Sequence, residues 1–317
     1  MNTYFNFVSK VAGMFGQPVP QKIRSIIQRV LPENPLGTFR KKDSLTVIIP
    51  CILKDIWKLK TVIESLEKSV ENQIEEIVII TNNDSFLNLK QQSNELGFRI
   101  VLENELISES LLLKIHQIVP QDKIGWTIQQ VATWRFILSS RSKENFLRLD
   151  SDTLLLKKRT FFGDQFHVLF PVVEYEAKYD MGLVKIASND SLTGFSYVSH
   201  HQAISRKNLA YLFEGKNENE VFENWINPSP GNYVPISEYH TYANFALSTF
   251  PSSIKVAKWA NRRLREETLR ALIDTYSTSE LLQSLSNLNP DIFSISAHHY
   301  VLKDEIKLPK DLQIDFD

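Results

Sequence analysis

Asn145-Phe146-Leu147-Arg148-Leu149-Asp150-Ser151-Asp152-Thr153-Leu154-Leu155-Leu156 places two carboxylates one residue apart where an apolar strand runs out. Successive strand side chains point to opposite faces, so Asp150 and Asp152 are expected to share one face. Two acids gathered where water is scarce cost free energy unless a cation neutralises them. Oxygen donors favour a hard divalent ion, Mn²⁺ or Mg²⁺, over zinc. Such ions use one or two carboxylates together with the phosphates of a substrate. Asp150 and Asp152 are therefore candidate metal ligands; the plain alternative is two acids in a solvated turn.

Upstream of this stretch, strands and helices alternate. Ser44 to Pro50 (SLTVIIP) reads as a buried strand, and Asp55 is placed to cap a helix whose apolar face is Ile56, Leu59, Ile63, Leu66 and Val70. Glu75 to Thr81 is a second buried strand, followed by the polar turn Asn82-Asn83-Asp84 and another helical segment. Phe98 to Leu102 is a third strand, and Gly125 to Ser140 a helix leading into the Asp150 strand. This alternation predicts an α/β fold, a mostly parallel Rossmann-like sheet flanked by helices. Ligands in such folds bind outside the carboxyl ends of the strands. Pro50-Cys51, Asn82-Asn83 and Asp150-Asp152 all fall at such ends, so three segments are expected to converge on one crevice.

Downstream the pattern is less regular. His167 to Val173 reads as a strand, Ser199-His200-His201 precedes a helix from Ser205 to Phe213, and Ser237 is placed to cap a helix carrying Glu238, Tyr239, Tyr242 and Phe245. Lys255 to Arg270 reads as a basic helix, and the last histidines stand in Ser296-Ala297-His298-His299-Tyr300.

Composition narrows the class. The 317 residues are 43% apolar and 23% charged, enough for a full core, and the net charge of −1 argues against nucleic acid as a partner. A single cysteine, Cys51, excludes a disulfide framework or a cysteine-rich zinc site and suits a reducing cytoplasm. Apolar runs fall far short of the ~20 residues needed to cross a bilayer, and no signal-peptide core is visible. The first 42 residues carry seven basic side chains against one acid, Glu33, interleaved with Phe5, Phe7, Phe15, Ile23, Ile26, Ile27, Val30 and Leu31. Such a leader suits peripheral contact with the inner face of the cell membrane; equally, it suits a helix packed on the core with a solvated basic face.

The motifs together resemble the GT-A fold of nucleotide-sugar-dependent glycosyltransferases, in which D-x-D carboxylates hold a metal against a diphosphate. The closer resemblance is to a poorly characterised bacterial branch, known as a domain of unknown function, with a Gly-Trp-x-x-Gln-Gln helix before the D-x-D strand. Gly125-Trp126-Thr127-Ile128-Gln129-Gln130 matches that element, His200-His201 its paired histidines, and Ser237-Glu238-Tyr239-His240-Thr241-Tyr242 its Ser-Glu-Tyr helix. A lysine often found three positions after the Gln pair is replaced here by Thr133.

Three segments are expected, the first from composition and the others from the resemblance, which runs from about Ser44 to about Leu247. Residues 1–43 form the basic leader and linker, 44–174 the nucleotide-sugar-binding part ending in the D-x-D strand, and 175–317 a helical acceptor-side subdomain of the same catalytic domain. The resemblance implies transfer of a sugar from a nucleotide-sugar donor to a glycan or lipid-linked acceptor in bacterial surface polysaccharide synthesis. Breaking the sugar–phosphate bond releases a charged nucleoside diphosphate that the metal stabilises. Candidate donor contacts are Pro50, Cys51, Asp55, Asn82, Asn83, Trp126, Gln129, Gln130 and Ser151. Glu238, His200 and His201 are candidate bases for the acceptor proton, and His298 is a candidate third metal ligand, favoured over His299. Two alternatives stand beside this one. A noncatalytic nucleotide-sugar or carbohydrate-binding relative would keep the same acids. A sugar nucleotidyltransferase would carry a glycine-rich loop after the first strand, which Pro50-Cys51-Ile52-Leu53-Lys54 lacks.

Overall fold

The computed structural model describes residues 3–15, 19–33, 42–187, 193–226, 233, 235–288 and 291–298. Its strands are β1 (Leu45–Pro50), β2 (Ile74–Thr81), β3 (Phe98–Leu102), β4 (Asn145–Leu149), β5 (Thr153–Leu155), β6 (Phe162–Gly163), β7 (Phe166–Leu169), β8 (His201–Ser205), β9 (Ile254–Val256), β10 (Asn261–Arg265) and β11 (Ser294–His298). The central sheet has the order β3-β2-β1-β4-β8. Its first four strands are parallel, and β8 closes the edge antiparallel to β4. Two three-stranded sheets, β10-β11-β5 and β6-β7-β9, stand beside it.

All six residues of β1 are buried because both faces of the sheet are covered. Val47 and Ile49 enter one apolar cluster with Leu59, Val62 and Leu66 of the Leu59–Ser69 helix. Ile48 enters the other, with Val131 and Trp134 of the Ile124–Ser139 helix. The same alternation runs along β4: Phe146 joins the second cluster, Leu147 and Leu149 the first. Arg148 therefore points toward the side of Phe146, into the protein.

Several expectations are corrected. Asp55 caps nothing: it lies inside a 3₁₀ turn, Leu53–Lys58, that precedes the Leu59–Ser69 helix, and its Oδ1 accepts from Lys58 Nζ at 2.6 Å. The helix expected from Ser205 to Phe213 is present as Arg206–Leu212, capped by Ser205, but a strand not foreseen, β8, begins at His201 and leads into it. Lys255 to Arg270 is not one helix but contributes to β9, β10 and the Glu266–Thr275 helix. The arginines that suggested a helical basic face decorate β10, an edge strand where charge blocks further pairing.

The N-terminal segment is built into the fold. Val8, Val11, Ala12, Val19 and Ile27 belong to the larger apolar cluster. On the Gln21–Val30 helix, Arg24 Nε donates to the Val173 carbonyl at 2.8 Å and the Gln28 amide to the carbonyls of Pro171 and Trp259. Phe7, Met14, Ile26 and Val30 remain exposed. Among the described residues no helix is long and apolar enough to cross a membrane.

Candidate metal centre

β1, β2 and β4 run parallel, so Pro50, Thr81 and Leu149 end at the same edge of the sheet. The loops leaving that edge are tied together: Leu53 N–H donates to Ser85 Oγ at 2.8 Å, and Thr81 Oγ1 donates to the Cys51 carbonyl at 2.6 Å. β4 stops at Leu149, so the acids lie in a turn rather than on a strand, closed by Thr153 N–H to the Asp150 carbonyl at 3.2 Å. The turn, not strand alternation, places the carboxylates together.

His200 completes the group. β8 pairs Leu149 with His201, and Asp150 N–H donates to the His200 carbonyl at 2.9 Å. One carboxylate oxygen each from Asp150 and Asp152 and one ring nitrogen of His200 then lie within 4.8 Å of one another. His200 holds a left-handed backbone, φ +64°, which an L-residue other than glycine rarely adopts.

Asp150 is held from both sides. Its Oδ1 accepts from Arg148 Nη1 and, at 2.9 Å, from the Tyr239 hydroxyl; its Oδ2 lies 3.1 Å from His200 Nδ1. Burial would raise this carboxyl, but the Arg148 charge and the His200 hydrogen bond outweigh it and bring it down to about 2. Asp152 goes the other way, up to about 6, through burial and the neighbouring Asp150 charge. Lys58 opposes that rise. Asp150 is thus held ionised by its partners, while burial beside that charge disfavours a second negative charge on Asp152.

Arg148 is the hub. Its side chain is 1% exposed, it stacks 4.3 Å over the Tyr239 ring, and its Nε lies 2.9 Å from Glu238 Oε1, also 1% exposed. Burial pushes the Glu238 carboxyl up to about 7 against the pull of Arg148. Glu238 begins the Glu238–Thr249 helix capped by Ser237, and its N–H donates to Gln130 Oε1 at 2.9 Å. Gln130 Nε2 donates in turn to the Trp126 carbonyl at 3.1 Å.

Other expected site residues are placed as follows. Asn82 caps the Asn83–Leu96 helix, its Oδ1 accepting from Ser85 N–H at 3.0 Å, and Asn83 is exposed at that helix start. Cys51 is buried, its thiol pushed far up by burial and by Asp55, with the Ser151 side chain bonded to it. Trp126 lies 6.1 Å from Tyr179 between ring centres, and the Gln129 carbonyl accepts from Thr133 Oγ1. No described contact joins Trp126 or Gln129 side chains to the acids. His201 is not among the three grouped ligand atoms. It is fully buried, 4.0 Å from the Trp259 ring, with Nδ1 2.8 Å from the Ser199 carbonyl, and burial pushes it down to about 3. β11 brings Ala297 N–H onto the Asp152 carbonyl at 2.9 Å, so the strand ending at His298 runs beside the acids. The His298 side chain and all of His299 lie outside the described residues.

Arg148, Tyr239 and Lys58 were not singled out from the sequence as site residues. Arg148 had a legible signal: an arginine among Phe146, Leu147 and Leu149 in a central strand must find a buried partner.

No known family profile matches the chain, and no curated protein matches it in sequence. Among solved structures it is similar to mouse xyloside xylosyltransferase 1 in its apo form (9% identity, covering 83% of this chain and 100% of that one, TM-score 0.44). It is also similar to the galactosyltransferase LgtC in complex with donor and acceptor sugar analogues (11% identity, 80% and 86%, TM-score 0.41). A third is glucosyl-3-phosphoglycerate synthase from Mycobacterium tuberculosis with Mn²⁺, UDP and glucosyl-3-phosphoglycerate (15% identity, 68% and 69%, TM-score 0.34).

Proposed function

We propose that this chain is a metal-dependent glycosyltransferase that moves a sugar from a nucleotide-sugar donor to a glycan or lipid-linked acceptor in bacterial surface polysaccharide synthesis. The observation that carries this is the Asp150, Asp152 and His200 cluster at the carboxyl edge of a parallel sheet, where such folds bind their ligands.

The residues fit a divalent ion. Asp150 and Asp152 supply the hard oxygen donors that Mn²⁺ or Mg²⁺ accepts and His200 a nitrogen donor within 4.8 Å of them, and a bound cation would offset the burial and the Asp150 charge that disfavour ionised Asp152. When bound, the ion would be held by Asp152 and Asp150, with His200 as third side chain, and would neutralise charge developing on the departing diphosphate. Arg148 and Tyr239 fix Asp150 Oδ1, so that carboxylate is oriented before any donor arrives. Glu238 holds Arg148 and is proposed as a positioning residue, its carboxylate being buried at 1% exposure beside that guanidinium. Gln130 anchors Glu238, so both sequence motifs act as scaffold for the acid pair. On the donor side, the Pro50-Cys51 and Asn82-Asn83 loops are proposed to border the nucleotide, with Lys58 as a nearby cation.

The test is release of nucleoside diphosphate from a panel of nucleotide sugars with and without Mn²⁺. Mn²⁺-dependent release from at least one donor is expected. Binding of a donor without turnover, with any acceptor added, would favour the noncatalytic alternative.

A further inference from the structure

A cavity of about 440 Å³ has His200 in its wall and lies between the Gln21–Val30 helix, the segment after β7 and β10. Its charge is one-sided. Arg29, Lys258, Arg262 and Arg263 line it against Glu174 and Asp291. Arg263 is paired with Glu174 at 2.6 Å and Lys258 with Asp291 at 2.8 Å. Arg29 and Arg262 have no such carboxylate partner among the described residues, so the cavity holds two uncompensated guanidinium groups within reach of solvent.

The same helix carries a second feature. Lys22, Ile26, Arg29 and Val30 recur at the i, i+4, i+7 and i+8 spacing of one helix face, and all four are exposed. Ile26 is 56% and Val30 73% exposed, large values for apolar side chains on a helix whose other face is packed in the core. A stripe that alternates cations with aliphatic side chains, and contains no acid, complements an anionic headgroup with hydrocarbon behind it. Arginines lining one cavity favour phosphate, whose oxygens accept their forked donors.

We propose that this cavity seats the phosphate of a lipid-linked acceptor, with Arg29 and Arg262 on the phosphate and the lipid chain lying along Ile26 and Val30. The assignment deepens the glycosyltransferase reading and rests on it: the acceptor hydroxyl would reach the acids past His200, which borders both.

Two probes separate the lipid from free phosphate. Flotation of the full chain with phosphatidylcholine vesicles is compared with and without phosphatidic acid, and thermal protection by inorganic phosphate is read in solution. Phosphatidic acid should recruit the chain, and inorganic phosphate should compete. Arg29→Gln with Arg262→Gln should weaken that recruitment by roughly thirtyfold, as expected for two basic residues at an anionic surface. Ile26→Ser with Val30→Ser should weaken vesicle binding yet retain phosphate protection. Equal binding to vesicles with and without phosphatidic acid, or an unchanged Arg29→Gln/Arg262→Gln variant, overturns the proposal. Phosphate protection without vesicle binding makes free phosphate the ligand and overturns the lipid assignment. Mn²⁺-dependent donor binding by the unaltered chain is measured separately; its absence would remove the transferase reading, while the vesicle result reports on the cavity alone.

Discussion

Arg148 and Glu238 meet at 2.9 Å with 1% of each side chain exposed, and the guanidinium continues to Asp150. Stripping one partner from a buried ion pair leaves the other charge uncompensated, at a cost of about 3–5 kcal/mol. Arg148→Met is expected to lower the unfolding free energy by that order. Adding Glu238→Leu to it should recover part of the loss. Urea unfolding of the two single variants and the double gives the coupling; strictly additive effects would mean that the two groups do not depend on each other.

His200 combines a backbone constraint with a chemical one. At φ +64°, a β-branched residue is strained, whereas asparagine and glycine accept the conformation. His200→Val should destabilise by about 1–2 kcal/mol, and His200→Asn should fold nearly as well as the parent chain. Both should weaken Mn²⁺ affinity, because both remove the ring nitrogen near the acids. Paired unfolding and metal titrations separate these effects. Undiminished Mn²⁺ affinity in His200→Asn would take the imidazole out of the metal group.

His167 supplies a pH dependence away from the acids. Its imidazole is buried against the Tyr242 hydroxyl at 3.0 Å, and burial pushes it from the ordinary 6.5 down to about 3. Between those values the unfolded chain binds a proton that the folded chain does not. The stability contributed is therefore complete above pH 6.5 and is lost as pH falls toward 3, at about 1.4 kcal/mol per pH unit. His167→Gln should flatten this part of the profile. Urea midpoints at pH 7 and pH 5 for both chains check it; an equal slope in the variant would assign the dependence elsewhere.

The parallel half of the fold was legible in its apolar runs, residues 47–50 in β1 and 77–80 in β2: Leu45–Pro50, Ile74–Thr81 and Phe98–Leu102 lie within a residue of their expected bounds. β8 and β10 were not, because polar and charged residues interrupt their apolar positions. His201-Gln202 and Arg262-Arg263 carry no strand signal of their own. Within the site, Asp150 and Asp152 announced themselves by type and spacing, but the bridge from Glu238 through Arg148 to Asp150 joins residues 90 and 2 positions apart. Pairings of that kind depend on which strand faces which helix. Glu238 lies buried against Arg148, a placement that favours the positioning role proposed above over that of a base for the acceptor proton.

The most direct measurement is calorimetric titration of nucleotide sugars into the parent chain and the Asp152→Asn variant, each with and without Mn²⁺. The expected result is donor binding that requires Mn²⁺ in the parent chain and is lost in Asp152→Asn, with the thermal melting of the variant intact. Equal donor affinity in the two chains, or binding indifferent to Mn²⁺, would contradict a metal held by this acid pair.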